Sequence, residues 1–461
     1  MQRTCFSTEK NDAIPISIVT PVDYLEWLSA QTAVTKAWLS STRFQAEAGN
    51  IRLLPDETGK IIHVICCVAD RENRWGVGGL AYQLPEGLYQ FDVTDKYYVA
   101  YAIAFGLGAY QFTRYKKSDR KPAQLFLPQH IVSFVENIVS SIYLVRDCIN
   151  TPTDDMGPSE LATVVDQLAK QYDATLHQII GEALLIENYH SIYTVGRASD
   201  DAPRLLDLRW GNTTHPKVTL VGKGVCFDSG GLDLKSSSHM LLMKKDMGGA
   251  AHVLGLARMI MQAKLPVCLR VLIPAVENVI SGNAYRPGDI IKSRKGLTVE
   301  IGNTDAEGRV VLSDALTEAV SEKPDVLIDI ATLTGAARVA LGTELPAVFS
   351  NNDALVNDVI HHGEKNNDLM WRLPLFAAYR EQLNSTIADI NNNSSEPYGG
   401  AITAALFLKE FVPDDIPWLH FDLMAWNLRA RPGRPQGGEA MTLQALFSYL
   451  QARFIGNRNE S

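Results

Sequence analysis

Hydrophobic and polar residues follow one another along the chain in blocks that predict a mixture of strands and helices. Nearly continuous apolar runs occupy 217–224, 268–278 and 325–335, and such runs are typical of strands buried on both faces of a sheet. Residues 297–302 alternate as a strand does, and apolar residues then recur at helical spacing over 309–320. These blocks predict an α/β fold with a central mixed sheet covered by helices.

The first part of the chain has shorter blocks. Strand-like runs occur at 14–19, 60–69 and 87–93, and helical stretches lie around 23–40 and 96–110. This alternation predicts a smaller α/β domain that precedes the large one.

One long helix is predicted between the two regions. Apolar residues recur at helical spacing throughout 128–150, and two prolines follow within the next ten residues. The sequence therefore predicts an N-terminal α/β domain over 1–127, a connecting helix over 128–150 and a large C-terminal domain over 151–461.

The polar segment 390–400, INNNSSEPYGG, differs from the rest of the C-terminal region. Its asparagines, serines and glycines are typical of loops. We expect a flexible surface loop without a functional role.

Composition and charge exclude several classes of protein. The hydrophobic content of 46% is ordinary for a globular protein, and the formal net charge of −9 argues against a nucleic-acid partner. Six scattered cysteines without a CxxC pair indicate buried free thiols in a reducing compartment. No run of 18 apolar residues occurs, so the sequence predicts a cytoplasmic protein without a membrane partner.

An unusual charged loop, NTDAEGR, joins the predicted strand at 297–302 to the following helix. It places Asp305, Glu307 and Arg309 at alternate positions. In isolation, the simpler explanation is a solvated acidic turn with Arg309 as an internal counter-ion. Loops at strand ends are nevertheless the usual place for a site in an open α/β sheet.

A second charged segment, 221–252, also follows a predicted buried strand. It contributes two lysines and two aspartates, which are Lys223, Lys235, Asp228 and Asp246. Its glycines do not have the spacing of a phosphate-binding loop. Four carboxylates on strand-end loops repel one another unless cations hold them, so the two segments together predict a site for two divalent metal ions.

These segments resemble the leucyl aminopeptidases of the M17 family. The resemblance rests on five strings, which are NTDAEGR (303–309), VGKGVCFDSGGLDLK (221–235), MKKDMGGAA (243–251), ENVISGNAYRPGDII (277–291) and DIATLTGA (329–336). Weaker matches run through STIADINN (385–392) and WLHFD (418–422). The resemblance extends from about Arg146 to the end of the chain. It implies a catalytic two-metal aminopeptidase domain over 151–461.

The resemblance also implies a role for each charged residue. The metal ligands would be Lys223, Asp228, Asp246, Asp305 and Glu307, holding two ions of Mn²⁺ or Zn²⁺, with Mg²⁺ also compatible. Lys235 would stabilise the developing oxyanion, and Arg309 would hold a bicarbonate ion. The substrate-binding residues would be Met243, Asn303, Thr332, Leu333 and Gly335.

The family resemblance further implies short peptide substrates and a homohexamer. One departure from the family pattern follows WLHFD, where residues 423–427 are bulkier than the usual Ile-Ala-Gly and put a preference for leucine in doubt. Another two-metal hydrolase, such as a phosphoesterase, is the alternative, although only His239 and His252 lie near the charged segments. A DNA-binding role alongside catalysis is the second alternative.

Overall fold

The computed structural model describes residues 4–456. The chain divides into two compact units. One comprises Met1–Tyr143 and Leu428–Gln436, and the other comprises Leu144–Asn427 and Gly437–Ser461.

The N-terminal unit is built on a six-stranded sheet. Its strands are β1 (Phe6–Ser7), β2 (Ile14–Val19), β3 (Ile51–Pro55), β4 (Ile61–Cys67), β5 (Leu88–Asp92) and β6 (Gln124–Phe126). Its helices are α1 (Tyr24–Ser29), α2 (Ala33–Ser41), α3 (Leu80–Gln83) and α4 (Asp95–Gly108), with a 3₁₀ turn at Arg74–Val77. The strand order is β1-β6-β5-β2-β4-β3, and every pair is parallel except β3 with β4.

The predicted elements of this unit are confirmed, with one difference. The runs at 14–19, 60–69 and 87–93 form β2, β4 and β5. The helical stretch around 23–40 is divided into α1 and α2, because Thr32 caps the second helix by accepting a hydrogen bond from the Thr35 amide at 3.2 Å. The predicted long helix is present as α5 (Gln129–Asn150).

The C-terminal unit has a nine-stranded mixed sheet and two small sheets. Its strands are β7 (Thr175–Ile180), β8 (Arg204–Trp210), β9 (Lys217–Gly222), β10 (Gly224–Asp228), β11 (Cys268–Asn278), β12 (Ile290–Lys292), β13 (Thr298–Glu300), β14 (Val326–Ala331), β15 (Ala347–Ser350), β16 (Trp371–Arg372), β17 (Ile390–Asn391), β18 (Trp418–Asp422), β19 (Trp426–Asn427) and β20 (Gly437–Gly438). The order of the large sheet is β16-β15-β18-β14-β9-β11-β8-β7, with β10 also paired to β11.

Helices accompany this sheet as the sequence predicts. They are α6 (Pro158–Gln171), α7 (Ala183–Ile186), α8 (His190–Gly196), α9 (Ser237–Met240), α10 (Gly248–Gln262), α11 (Glu307–Val320), α12 (Gly335–Leu341), α13 (Asp353–Lys365), α14 (Gly400–Lys409) and α15 (Leu443–Ile455). Short 3₁₀ helices occur at Thr153–Asp155, Met243–Met247 and Ala377–Leu383. In the described part of the chain, no helix has the length and apolar character to span a membrane.

The centre of the large sheet determines where a site can form. Strands β9, β11, β14 and β18 are all parallel to their neighbours in this group, and every residue of β14 and β18 is buried. Helices α10 and α11 both pack on β9 and β14. The carboxyl ends of these parallel strands therefore meet at one edge, where their loops can bring side chains together.

Candidate active site

The charged residues named from the sequence lie on loops at this edge of the sheet. Lys223 separates β9 from β10, and Asp228 is the last residue of β10. Asp246 belongs to the 3₁₀ helix that precedes α10, Asp305 lies just before α11, and Glu307 is the first residue of α11. The structure therefore assembles five side chains that are separated by up to 84 positions in the sequence.

The four carboxylates converge around two ammonium groups. Oxygens of Asp228, Asp305 and Glu307 lie within 4.8 Å of one another. The Lys223 Nζ lies 2.7 Å from Asp246 Oδ2 and 2.8 Å from Glu307 Oε1. Lys223 thus pairs at close range with two of the four acids.

The second ammonium group belongs to Lys235. Its Nζ lies 2.9 Å from Asp228 Oδ2 and also contacts Asp305 Oδ1. Burial would lower the pKa of Lys235, but the negative charges of Asp228 and Glu307 hold it above its usual value. Lys235 is therefore a cation in this site.

Burial and neighbouring negative charges raise the pKa values of two acids in this cluster. Burial, followed by the charge of Asp228, raises the pKa of Glu307, and burial, followed by the charge of Asp246, raises the pKa of Asp228. Within the described residues, Glu307 Oε2 is buried without a hydrogen-bond partner. A set of carboxylate oxygens of this kind, with one oxygen that lacks a hydrogen-bond partner, fits divalent cations.

Glycine is required where the backbone approaches Lys223. A Cβ atom on Gly308 would lie 2.5 Å from Lys223 Cε, so the lysine side chain passes directly over the first turn of α11. A Cβ atom on Gly249 would collide with the carbonyl of Ile330 in β14. The glycines of the two charged segments therefore permit close packing around the amine.

Neighbouring polar residues orient the ligands. Thr332 donates from Oγ1 to Asp246 Oδ1 at 2.7 Å. The Asn278 amide, which was not named as a site residue from the sequence, donates to Asp228 Oδ1 at 2.9 Å and to the Thr304 carbonyl at 3.0 Å. Asn278 ends β11 inside one of the strings of the family resemblance, so its position at a strand end was the available signal.

The prediction of a flexible, non-functional loop over 390–400 is wrong for its first residues. Ile390 and Asn391 form β17, which pairs with β13, and Asn392 is completely buried. Asn392 Oδ1 accepts hydrogen bonds from the Gly302 and Asn303 amides at 2.8 and 3.2 Å. The side chain of Asn392 therefore forms hydrogen bonds with the charged loop and not with the solvent.

Asn392 also reaches the other side of that loop. Its Nδ2 donates to the carbonyl of Asn303 at 2.8 Å and to that of Ala306 at 3.3 Å. Its own carbonyl accepts a hydrogen bond from Arg309 Nη1 at 2.9 Å. One buried asparagine therefore fixes the backbone on both sides of Asp305.

The carboxylates open into a cavity of about 590 Å³. It is lined by the five predicted metal ligands and Lys235, by four predicted substrate-binding residues (Met243, Thr332, Leu333 and Gly335), and by residues not named from the sequence, among them Asp233, His239, Lys245, Arg338 and Met424. The structure thus gathers ten of the twelve predicted site residues around one space.

The two remaining predicted residues lie behind this lining. Asn303 accepts a hydrogen bond at Oδ1 from the Asp305 amide at 2.7 Å and so shapes the loop. Arg309 is buried, and burial lowers its pKa to about 10. Its Nε has no hydrogen-bond partner within the described residues.

Comparisons with known proteins identify the family of the chain. Residues 143–447 match the model of the cytosol aminopeptidase family, catalytic domain, and residues 14–128 match that of the M17 aminopeptidase, N-terminal domain. The chain superimposes on a crystal structure of the cytosol aminopeptidase from Coxiella burnetii with a TM-score of 0.95 and 53% identity, over 98% of this chain and 99% of that one. The bottromycin maturation enzyme BotP in complex with Mn gives a TM-score of 0.87 at 30% identity, over 96% and 99% of the two chains.

Curated relatives extend the match. A probable cytosol aminopeptidase from Syntrophotalea carbinolica is 43% identical over 69% of this chain and 65% of its own length. A probable cytosol aminopeptidase from Roseiflexus castenholzii is 40% identical over 77% of each chain. The chain therefore belongs to the cytosol aminopeptidase family, M17, a family of hydrolases of the aminopeptidase class.

Proposed function

We propose that this protein is a metal-dependent aminopeptidase that removes the N-terminal residue of short peptides, with its catalytic domain in residues 151–461. The observation that carries the proposal is the cluster of Asp228, Asp305 and Glu307, whose carboxylate oxygens lie within 4.8 Å of one another and in which Glu307 Oε2 has no hydrogen-bond partner among the described residues. Family membership supplies the class of reaction, and the cluster supports its dependence on metal.

The five ligands would hold two divalent ions. Four carboxylates and one amine form a set that suits Mn²⁺, Zn²⁺ or Mg²⁺. When bound, such ions lower the pKa of a water molecule and polarise a peptide carbonyl. Burial would lower the pKa of Lys223, but Asp246 and Glu307 raise it above its usual value, so a neutral amine ligand at this position requires the additional positive charge of the ions.

The chain's other residues would position the substrate and manage charge. Lys235, already a cation between two acids, is placed to stabilise negative charge on the carbonyl oxygen. Arg309 would hold a small anion such as bicarbonate, whose chemistry is proton transfer between water and the leaving amine. Met243, Thr332, Leu333 and Gly335 would contact the first side chain, while Asn303 would act through the loop that it shapes.

Assays of the metal-stripped protein test the proposal as a whole. We expect dipeptides to be hydrolysed after addition of Mn²⁺, Zn²⁺ or Mg²⁺, and a phosphate monoester to be left intact. Hydrolysis of the phosphate ester without peptide cleavage would show that the cluster serves another reaction.

Replacing Lys235 with alanine should separate metal binding from charge stabilisation. We expect kcat to fall by about 10²- to 10³-fold, the scale of losing one oxyanion donor. The number of bound metal ions, measured by elemental analysis, should not change. Lys323→Ala, at an exposed position after α11, is the control. Loss of metal from the Lys235 variant would assign this lysine to the ligand set instead.

We also propose a homohexameric enzyme of the cytoplasm. All six cysteines are free thiols, which fits a reducing compartment. Light scattering is expected to give about six times the 50.8 kDa mass of the chain. Short peptides should be cleaved and folded proteins should not. A fully active monomer would contradict the proposed assembly.

A further inference from the structure

Two cationic side chains in the cavity have no part in the proposed reaction. Lys245 is only 1% exposed, yet it lines the cavity. Its Nζ lies 4.0 Å from Asp246 Oδ1, and no hydrogen bond from Nζ is found among the residues that the structure describes. Burying an ammonium group without a close partner is costly, so its retention beside a cavity calls for a ligand.

The second cation is Arg338. It lies on α12, lines the same cavity, and is close enough to Lys245 for its positive charge to disfavour the lysine's own. A Cβ atom on Gly335 would lie 3.6 Å from Arg338 Nη2, so the guanidinium covers the glycine that begins the helix. Over residues 4–456, the side chain of Arg338 has neither an ion pair nor a hydrogen bond.

Arg338 lies beside Gly335, one of the residues proposed to contact the first side chain of the peptide, and its charge acts on Lys245. Met243 and Leu333 provide apolar surface in the same cavity, and Met424 adds more. A side chain with a short apolar stem and a negatively charged end would match this combination, because the stem packs on the apolar groups and the end pairs with the cations.

We infer that Lys245, together with Arg338, makes the enzyme select peptides whose first residue is glutamate or aspartate. The inference rests on the proposed aminopeptidase function and names its substrate class. A carboxylate can also come from the C-terminus of a dipeptide, so the test has to distinguish the two sources.

The main measurement compares glutamyl and glutaminyl p-nitroanilides with added Mn²⁺. The two substrates have the same shape, lack a C-terminal carboxylate and differ in the charge of one side chain. We expect kcat/KM for the glutamyl substrate to exceed that for the glutaminyl substrate by about 10-fold or more, the scale of a hydrogen bond to a charged group. In Lys245→Met this ratio should fall by about 10-fold, and Arg338→Met should lower it in the same direction.

The ratio of the two kcat/KM values reports recognition of the substrate side chain. Damage to the metal site does not change it, because both substrates need the same metal ions. Lys244→Met is the matched control because it removes the same charge one residue away. Lys244 Nζ donates to the Asn150 carbonyl at 2.6 Å and lies 5.5 Å from the centre of the Trp426 ring, and it does not line the cavity. The control should keep the parent's ratio.

A second pair of substrates, Leu-Gly and Leu-Gly amide, tests the C-terminal source. If Lys245→Met changes the ratio for this pair and not the glutamyl to glutaminyl ratio, the cations bind the C-terminus and the inference is wrong. Equal hydrolysis of the glutamyl and glutaminyl substrates by the parent overturns the inference and leaves the proposed function standing. Failure to cleave any of these peptides overturns both. If Lys245→Met does not fold, the same two substrate ratios are measured for Arg338→Met, which lies on a partly exposed helix, and they test the inference in the same way.

Discussion

Replacing Glu307 with alanine is expected to abolish peptide hydrolysis and to leave the fold intact. Glu307 begins α11, and oxygens of its carboxylate and of those of Asp228 and Asp305 lie within 4.8 Å of one another. As a proposed metal ligand, it belongs to a set of side chains that act together. Removing one member of such a set lowers kcat by roughly 10⁴-fold or more. The measurement is kcat with saturating dipeptide and added metal.

Stability measurements should show that Glu307→Ala loses activity because it no longer binds metal as the parent does. In the metal-free protein, alanine removes one acid from a crowded cluster and also one partner of the buried Lys223 ammonium group, so the two effects oppose each other and the melting temperature should change little. Mn²⁺ should stabilise the parent by binding only its folded state, and should stabilise the variant less.

Two further variants sharpen this comparison. Glu307→Gln keeps the size of the side chain and removes only its charge, so it should lose activity as alanine does. Glu396→Ala removes an exposed carboxylate elsewhere in the chain and should retain full activity. Near-parental turnover by either Glu307 variant with metal bound would refute the two-metal site.

The elements that position the site were predictable wherever burial on both faces dictates the residue pattern. The run at 268–278 is β11 over the same residues, and 325–335 contains β14. The strand expected at 297–302 is shorter, Thr298–Glu300, because the chain turns there to begin the charged loop. Apolar periodicity records which faces are buried, and it says little about where a strand at the edge of a small sheet ends.

The charged ligands were predictable because each occupies a recognisable string, and Asn278 shares one of these strings, whereas the supporting role of Asn392 was not predictable. Asn392 ends the weakly matching string STIADINN, but its contacts with Gly302 and Asn303 span about 90 positions of sequence, and its polar neighbours do not show that it is buried. Lys245 resembles its neighbour Lys244 in sequence, yet only Lys245 lines the cavity. Such roles depend on long-range contacts that local patterns do not record.

Replacing Asn392 with alanine is expected to impair both stability and catalysis. The substitution leaves the backbone amides of Gly302 and Asn303 and the carbonyl of Ala306 without this partner, while the Asn303 carbonyl keeps a hydrogen bond from the Ala306 amide at 3.3 Å. Each unsatisfied buried group costs about 1–3 kcal/mol, and partial relaxation reduces the sum, so we expect the free energy of unfolding to fall by about 2–5 kcal/mol. Urea unfolding with and without metal measures this change.

The catalytic effect should follow from displacement of the charged loop. Asn392 fixes the backbone beside Asp305 and accepts a hydrogen bond from Arg309 through its carbonyl, so a shift of about 1 Å moves a proposed ligand and the proposed anion site together. We expect kcat/KM to fall by about 10²-fold at temperatures where the variant remains folded. Asn392→Asp keeps the acceptor for the two amides but sets a buried carboxylate oxygen against the Asn303 and Ala306 carbonyls, so it should lose stability as well. Asn393→Ala, the exposed neighbour, should behave as the parent does. If Asn392→Ala retained parental activity and stability, the loop would be held by its own turn and not by this asparagine.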